Sequence, residues 1–433
     1  MPHTDINFRD YKLMAYSRRY GKVLALSIVG FLSGCFQQLA EAEEVVITAL
    51  FKPDPSKPDQ NIFENTTPPS GYCADFPNKC RDDQMFSLRV PITFESNGAI
   101  TPGYSDPRQG PTFYLPSNWR SLTVFHETTG EPQTLRVRIS GVGTRVRSPN
   151  VLELVDQDVS LPQAHDLLWT SGGWLFAPPP CVSSGLSSYG ADWYNFFWKT
   201  TTTRGHCTKY ARYDVPWLRY EYLDFAYQLE TPNPLQMASG RYNGRIGYTV
   251  GPESDFDMGH VMQPSSTTLG LNFSLDVQHT LKVDIPPGGN KVELVPEGGW
   301  QNWLQNGRKP VRLFRDQTFN ISASSRFKME LSCFITGTNN CMIVDLVSGR
   351  TAEVQISISL PNGLTDLVGE PVKRRRFYPG SHRAQQFQPA FYVDRAPGVL
   401  HFEIDSFYVN SMLQSGRAAT YSGTVTVIWD SEV

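Results

Sequence analysis

The chain has 433 residues, of which 34 are Gly, 32 are Pro and 12% are aromatic, while only 19% are charged. Apolar residues make up 40% of the sequence, enough to bury a core, so intrinsic disorder is excluded. The formal net charge of -3 disfavours a dedicated nucleic-acid-binding protein, which needs a basic excess, and no nucleic acid is expected as a partner. The length is typical of two or three domains.

The first 42 residues are typical of an export signal. Five Lys and Arg residues precede an apolar run of ten residues, 23–32, which is too short to span a bilayer. Ala40 and Ala42 have the spacing that leader peptidase accepts, which predicts cleavage after Ala42 and a mature chain that begins at Glu43. Two alternatives stay open. Cys35 could be lipidated, because its LSGC context resembles a lipoprotein box, or the apolar run could be an internal core segment that only resembles a signal.

Six of the seven cysteines follow the predicted cleavage site and form three close sequential pairs. An even number of cysteines in an exported chain is typical of disulfides. Six cysteines allow fifteen pairings, and the nearest-neighbour one is favoured because each bond then closes a local loop. No Cys-x-x-Cys or Cys/His cluster has metal-ligand spacing, so neither a metal nor another cofactor is expected. The favoured pairs are Cys73 with Cys80, Cys181 with Cys207, and Cys333 with Cys341.

Alternating apolar and polar residues predict strands along most of the mature chain. FSLRVPITF at 86–94 and VQISISL at 354–360 each have one apolar and one polar face. The longest alternation, 271–285, would span on the order of 50 Å as a single strand, so we expect it to run from one domain into the next. Helical periodicity over a dozen residues is absent. The predicted fold class is therefore all-β, with two β-sandwich domains at 43–275 and 276–433.

An aromatic-rich stretch between Cys181 and Cys207 is the strongest candidate for a binding site. Aromatic rings stack on the C–H faces of sugars, Asp and Asn bind pairs of hydroxyl groups, and Trp, Tyr and Arg anchor protein receptors. A disulfide-closed loop would preorganise such a surface. The alternative is that Phe196, Phe197 and Trp198 form a core strand, since three adjacent aromatic residues cannot all face water. The predicted receptor-binding residues are Asp192, Trp193, Tyr194, Asn195 and Arg204.

Other motifs carry less weight. The disulfide-closed loop ADFPNK, 74–79, is a second candidate, because short closed tips often line binding faces. No GxSxG, HExxH or glycine-rich phosphate loop occurs, and spacing pairs no two carboxylates, so an enzyme is not expected. The basic run 373–376 and the acidic segment 255–259 are interpreted as a solvated loop and a turn.

The end of the chain carries a resemblance to a known family. YSGTVTVIWDSEV, 421–433, resembles the last strand of pilin domains from chaperone-usher fimbriae of Gram-negative bacteria. GGWQNWLQNGRKPVRLFRDQTFNISASSRFKMELSCF, 298–334, is similar to the corresponding part of two-domain fimbrial tip adhesins. The resemblance covers roughly 277–433, about a third of the chain, and departs from the better-known pilins at Glu432, where they have Tyr. The first domain resembles lectin-type adhesin domains in position and composition.

The resemblance implies an incomplete immunoglobulin-like second domain, in which a missing strand leaves an apolar groove. A periplasmic pilus chaperone, and later the next pilin subunit, would each fill that groove with a strand. It also implies an outer-membrane usher, a host glycan or matrix-protein receptor, and export through the periplasm to the fimbrial tip at the cell surface. The Val433 carboxylate would meet basic residues of the chaperone, while Val425, Val427 and Trp429 would face the core. The edge offered to the added strand is Thr424, Val425, Thr426, Val427, Ile428 and Trp429.

The segment after the signal distinguishes a tip subunit from a shaft subunit. A shaft subunit would carry an alternating donor strand before its first domain, whereas here 45–50 alternates only until Pro53. We therefore predict a tip adhesin that binds a receptor non-covalently. Two alternatives stay open: a structural minor pilin without a specific ligand, and a secreted β-sandwich enzyme acting on glycans. For 421–429, the alternative is an ordinary terminal strand of another β-sandwich.

Overall fold

The computed structural model describes residues 4–5, 42–416 and 419–431. Most of the predicted export signal lies outside these ranges, as do Cys35 and the Val433 carboxylate. The described residues 4–5 of the signal segment form β1 (Thr4–Asp5), which pairs with Lys291–Val292. Strands dominate within these ranges, and the longest helix has eight residues. The predicted all-β fold with two domains is confirmed. No helix in the described part is long and apolar enough to cross a membrane.

The first domain is built on thirteen strands, with four short helices in the connections. The helices are α1 (Tyr72–Asp75), α2 (Pro77–Asp82), α3 (Val151–Val155) and α4 (Leu161–Leu168). The strands are β2 (Glu43–Phe51), β3 (Glu64–Asn65), β4 (Phe86–Val90), β5 (Phe94–Ser96), β6 (Arg120–His126), β7 (Pro132–Arg147), β8 (Val182–Tyr189), β9 (Trp193–Lys199), β10 (Arg219–Tyr220), β11 (Leu223–Glu230), β12 (Gly240–Thr249), β13 (Met262–Pro264) and β14 (Thr268–Val277).

These strands form one curled sheet with the order β13–β5–β10–β7–β6–β12–β14–β2–β3. The 16-residue β7 is its hub, because it pairs with β6, β9, β10 and β11. β2 lies parallel to β14, in register from Glu43 opposite Leu269 to Phe51 opposite Val277. The first strand of the predicted mature chain is thus held inside the sheet of its own domain.

The second domain has two sheets. Its helices are α5 (Trp300–Asn306) and α6 (Ser406–Met412). Its strands are β15 (Leu281–Asp284), β16 (Lys291–Val292), β17 (Val295–Pro296), β18 (Leu313–Ala323), β19 (Phe327–Cys333), β20 (Cys341–Asp345), β21 (Thr351–Ser359), β22 (Leu364–Asp366), β23 (Arg375–Phe377), β24 (Gln385–Pro389), β25 (Val393–Ile404), β26 (Tyr421–Ser422) and β27 (Val425–Asp430). The larger sheet has the order β15–β18–β25–β21–β20–β26 and the smaller β22–β24–β19–β27, and they enclose a separate core that runs from Val292 to Val427.

The long alternation 271–285 is interrupted at the junction of the two domains. β14 ends at Val277 in the first sheet, and β15 begins at Leu281 in the second domain. His279 lies between them: its Nε2 is 2.9 Å from the carbonyl oxygen of Met237, and its Nδ1 is 3.1 Å from Oγ of Ser324. One imidazole therefore contacts both domains, and burial lowers its pKa.

Candidate receptor-binding site

The aromatic strand β9 is buried on both faces. Phe196 and Trp198 point into the main core, where their rings lie 4.9 and 5.7 Å from that of Trp174. Phe197 points the opposite way and stacks on Tyr72 at 4.2 Å. All three β9 residues are at most 2% exposed. Of the two interpretations of these three aromatic residues, the structure supports the core strand.

Two glycines of β7 make room for Phe197. Gly141 and Gly143 lie opposite the end of β9, and a Cβ at either position would come within 2.7 Å of the Phe197 ring. A side chain there would have to displace the ring, so the sequence pattern G-V-G is a packing requirement. The helices α1 and α2, closed by the Cys73–Cys80 disulfide, cover the ring from outside.

The three disulfides join nearest neighbours. Besides Cys73 with Cys80, Cys181 bonds Cys207 and Cys333 bonds Cys341, with Cα–Cα separations of 5.8 and 5.5 Å. The Cys181–Cys207 bond closes the segment that contains β8 and β9, so the exposed end of β9 is held on a cross-linked support.

At that exposed end, β9 lies beside two arginines of β7. Arg147 is directly opposite Trp193, and two residues earlier Arg145 is opposite Asn195, so strand alternation puts all four side chains on the same outer face. Arg147 bonds Asp192 at 2.9 Å. It also bonds Glu221 at 2.7 Å, and this bond raises the pKa of its guanidinium.

Arg145 links the polar and aromatic parts of this face. Its Nε donates to Oδ1 of Asn195 at 2.9 Å, and its guanidinium lies 5.1 Å from the centroid of the Trp193 ring. The Asn195 amide in turn donates to Ser188 at 3.0 Å. We call this group the Trp193 surface: Arg145, Arg147, Asp192, Trp193, Asn195 and Glu221.

The Trp193 surface combines an accessible indole with two guanidiniums, two carboxylates and an amide. The charges balance, and the ion pairs are partly exposed, so each contributes little to stability. Groups of this kind can exchange their mutual hydrogen bonds for bonds to a ligand, while the ring offers an apolar face. The chemistry suits a hydroxyl-rich or peptide ligand.

Solved structures similar to the chain are fimbrial tip adhesins. One, from a chaperone–tip adhesin complex of CFA/I fimbriae, is 9% identical with a TM-score of 0.25, and the match covers 91% of this chain and 97% of that one. A mutant of the adhesin CfaE from enterotoxigenic E. coli is 7% identical, with a TM-score of 0.22 and coverage of 89% and 98%. CsuE, bound to its chaperone CsuC from the archaic chaperone-usher Csu pili of Acinetobacter baumannii, is 10% identical, with a TM-score of 0.21 and coverage of 78% and 84%.

These proteins are of the class that the sequence resemblance named. No protein-family model and no curated sequence matches the chain. Because the TM-scores lie below 0.5, function has to be argued from the chain's own residues.

Two of the predicted site residues do not lie on the Trp193 surface. Tyr194 is 5% exposed, because alternation along β9 turns it away from Trp193 and Asn195. Its hydroxyl is 2.8 Å from that of Ser187, and its ring stacks on Tyr189 at 5.2 Å. Tyr194 therefore faces the interior and packs beneath β9, and a contact between Tyr194 and a receptor stays a prediction.

Arg204 lies near the opposite end of β9. Its Nε donates to the carbonyl of Leu115 at 3.0 Å, and its guanidinium lies 4.2 Å from the Tyr114 ring. Pro116, the residue after Leu115, accepts a hydrogen bond from the backbone N–H of Ile139 on β7. Ile139 precedes Arg147 on that strand by eight residues, or about 26 Å. Arg204 therefore belongs to a different surface from Asp192, Trp193 and Asn195.

Sequence reasoning missed Arg145, Arg147 and Glu221. The alternation R-V-R at 145–147 indicated a strand with two arginines on one face. Nothing local shows that this face lies beside Trp193, because the pairing joins residues about fifty positions apart.

A buried carboxylate fixes the helices that cover Phe197. Asp224 accepts a hydrogen bond from the backbone N–H of Tyr72 at 2.9 Å and pairs with Arg89 at 3.2 Å. Burial raises the pKa of Asp224 to about 7. Gly71 has φ of 67° and touches this carboxylate so closely that a Cβ would lie 2.1 Å from it. The loop 74–79 is thus anchored from beneath, and its role as the rim of a binding face stays a prediction.

A buried lysine organises the segment below β9. Nζ of Lys209 donates to the carbonyl oxygens of Gly172, Gly173 and Phe176 at 3.0, 2.9 and 2.6 Å. The residue is fully buried, and burial lowers its pKa to about 7. The carbonyls that surround Nζ hold the turn carrying Trp174 against the core. Within the described ranges, no group of three or more His, Cys, Asp or Glu side chains is arranged to hold a metal ion.

Proposed function

We propose that the protein is a fimbrial tip adhesin whose two domains have different functions. Residues 43–275 bind a host glycan or matrix protein through the Trp193 surface. Residues 276–433 form an incomplete sandwich that receives a strand first from a periplasmic chaperone and then from the next subunit. An outer-membrane usher passes the protein to the cell surface. The boundary is supported by the two cores, of which the first ends at Val277 and the second begins at Val292.

The observation that carries the proposal is the position of two open strand edges in the second domain. β15 and β27 are the outer strands of the larger and the smaller sheet. The Trp429 ring of β27 lies 4.9 Å from the Phe319 ring of β18, the neighbour of β15, so both edges are on the same side of the sandwich. Residues on this side pack against the core yet stay partly exposed: Leu281, Val283, Ile285 and Trp429.

A strand placed between these edges would cover the partly exposed side chains and pair with one of the edges. β27 is well anchored for that role, since Val425 and Val427 are 3% and 4% exposed. Ile428 on its other face is 40% exposed. Burying the partly exposed apolar groups would stabilise the domain by roughly 25 cal/mol per Å² covered.

The N-terminal strand supports a place at the tip. β2 is nine residues long and pairs along its whole length with β14. Ile47, Ala49 and Phe51 are buried in the first core at 3% exposure or less. A strand committed in this way cannot be donated to another subunit without opening its own domain.

The test is to supply the missing strand in cis. A flexible turn and an alternating apolar strand of about ten residues, joined after Val433, should convert an aggregating chain into a soluble monomer with a cooperative thermal transition. The matched control carries the same extension with its apolar positions replaced by Ser and should not rescue. An unmodified chain that is soluble, monomeric and thermally stable would rule out the incomplete sandwich.

A further inference from the structure

The second domain carries exposed apolar side chains at the end that faces away from the first domain. At this end β18 begins and β25 ends, with Leu313 paired to Ile404. The other end of β18, at Ala323, adjoins Ser324 and hence the His279 junction. We call the far end the distal surface, defined by Leu304, Val311, Phe334, Leu346, Val347 and Phe407, which are 71 to 97% exposed.

Strand pairing places these residues at one end. α5 and its loop lead into β18, α6 follows β25, and Nζ of Lys309 is 3.4 Å from the carbonyl oxygen of Asn410. Gln355 lies opposite Glu403, so the turn that precedes β21, with Val347 at its tip, extends beyond the end of β25. Phe334 bonds Thr424 just after β19 ends, at the same side of the domain.

Cations flank this apolar group. Arg308 and Lys309 are exposed, and within the described part of the chain neither forms an ion pair with a carboxylate. Neighbouring Arg312 is neutralised by Glu297 at 3.2 Å and Glu403 at 3.7 Å. Apolar side chains rimmed by unneutralised positive charge are typical of a docking surface for a protein with acidic groups at its contact face.

The direction of β27 decides which protein reaches this surface. β27 runs from Val425, opposite Cys333 at the distal end, to Asp430, opposite Lys328 near the junction. Every strand pair of the second domain is antiparallel. A strand that pairs with β27 in the same antiparallel way runs towards the distal end. The chain that follows this strand then leaves beside the distal surface.

We propose that the distal surface docks the folded body of the subunit that donates its strand to the groove. This inference rests on the proposed function, since it assumes a donated strand. The strand acts as a tether that holds the body of its own subunit at high effective concentration, so a modest apolar contact suffices to close the joint. The joint then has two parts, a strand in the groove and a body against Leu304, Val347 and Phe407.

The experiment compares fimbriae that carry different variants of the chain. Replacing Leu304, Val347 and Phe407 each by Glu should leave the adhesin in purified fimbriae but speed its release in urea about tenfold, which corresponds to a loss of about 1.4 kcal/mol. Val368→Glu is the matched control, because Val368 is 82% exposed but lies in the turn after β22. A release rate equal to that of wild type in the triple variant would overturn the docking surface.

A second variant separates this inference from the proposed function. Leu281→Glu with Val283→Glu puts charges into the groove and should prevent incorporation altogether. If this variant is incorporated at the wild-type level, the donated strand itself is refuted. If the triple distal variant fails to form the chaperone complex, Val347→Glu alone decides, since a turn residue that is 97% exposed cannot disturb the core. Faster release of that single variant supports the docking surface, and wild-type release overturns it.

Discussion

Trp193 is the accessible end of a strand whose other aromatic residues are buried. The Arg145 guanidinium lies 5.1 Å from its ring, and the Asp192 carboxylate is held by Arg147 at 2.9 Å. Its neighbours are therefore positioned by ion pairs before any ligand arrives, which lowers the ordering cost of binding.

Replacing Trp193 and Asp192 by Ala should abolish adhesion, with a loss of at least tenfold in affinity, because aromatic anchors dominate binding surfaces. The measurement is binding of the strand-complemented chain to a glycan array and to fibrinogen and other matrix proteins. Trp119→Ala is the control, since the Trp119 ring also lies beside an arginine, 5.3 Å from the guanidinium of Arg136, but Trp119 precedes β6 and is not part of the Trp193 surface. Loss of folding in the double variant would instead show that these residues support the core.

The buried Asp224 predicts a pH dependence of stability. Its pKa is raised to about 7 in the folded state, whereas an unfolded chain has an ordinary value near 4. Between these values the folded state binds more protons than the unfolded one, so this group's contribution to the free energy of unfolding falls as pH rises from about 4 to about 7. The slope is at most about 1.4 kcal/mol per pH unit.

Urea unfolding of the strand-complemented chain at pH values across that window checks this prediction. Asp224→Asn keeps an acceptor for the Tyr72 N–H and removes the titrating group, so the difference in stability between wild type and variant should shrink or reverse as pH rises. A difference that stays constant from pH 4 to 7 would contradict the raised pKa.

At the scale of elements, β9 depends on the cover supplied by α1 and α2. Tyr72 stacks on Phe197, and the Cys73–Cys80 bond closes the two helices, which have four and six residues and are too short to persist alone. The sequence allowed a core strand at 196–198, but it did not show what covers the Phe197 face, because the covering residues lie more than a hundred positions earlier.

Replacing Cys73 and Cys80 by Ser should lower the free energy of unfolding by about 2 to 3 kcal/mol, from the entropy of an open loop. It should also make the loop 74–79 the first site of limited proteolysis. The control for proteolysis at 74–79 is the double variant Cys333→Ser with Cys341→Ser, which opens a disulfide-closed loop of similar length in the second domain. Unchanged cleavage there would show that Asp224 alone holds the cover.

At the scale of the whole molecule, one half-buried imidazole contacts both domains. His279 bonds Met237 in the first domain and Ser324 in the second, and its ring lies 5.6 Å from that of Phe51. Since burial lowers its pKa, the ring is neutral near pH 7.

His279→Ala should remove both bonds, each worth about 1 kcal/mol, and allow a wider range of angles between the domains. Distance distributions between spin labels placed one in each domain should broaden, while the thermal transition of each domain changes little. His260→Ala, an exposed histidine of the first domain, should leave the distributions as they are. Unchanged distributions for His279→Ala would show that other contacts fix the junction.

The sequence by itself determined the fold class, the places where strands alternate and the favoured pairing of cysteines, because these depend on local periodicity and short separations. Only the tertiary structure decided that Trp193 meets Arg145, that Tyr194 turns inward, and that Arg204 lies at the far end of β9. The physical reason is that strand register joins residues far apart in sequence, and register decides which face and which neighbour each side chain has.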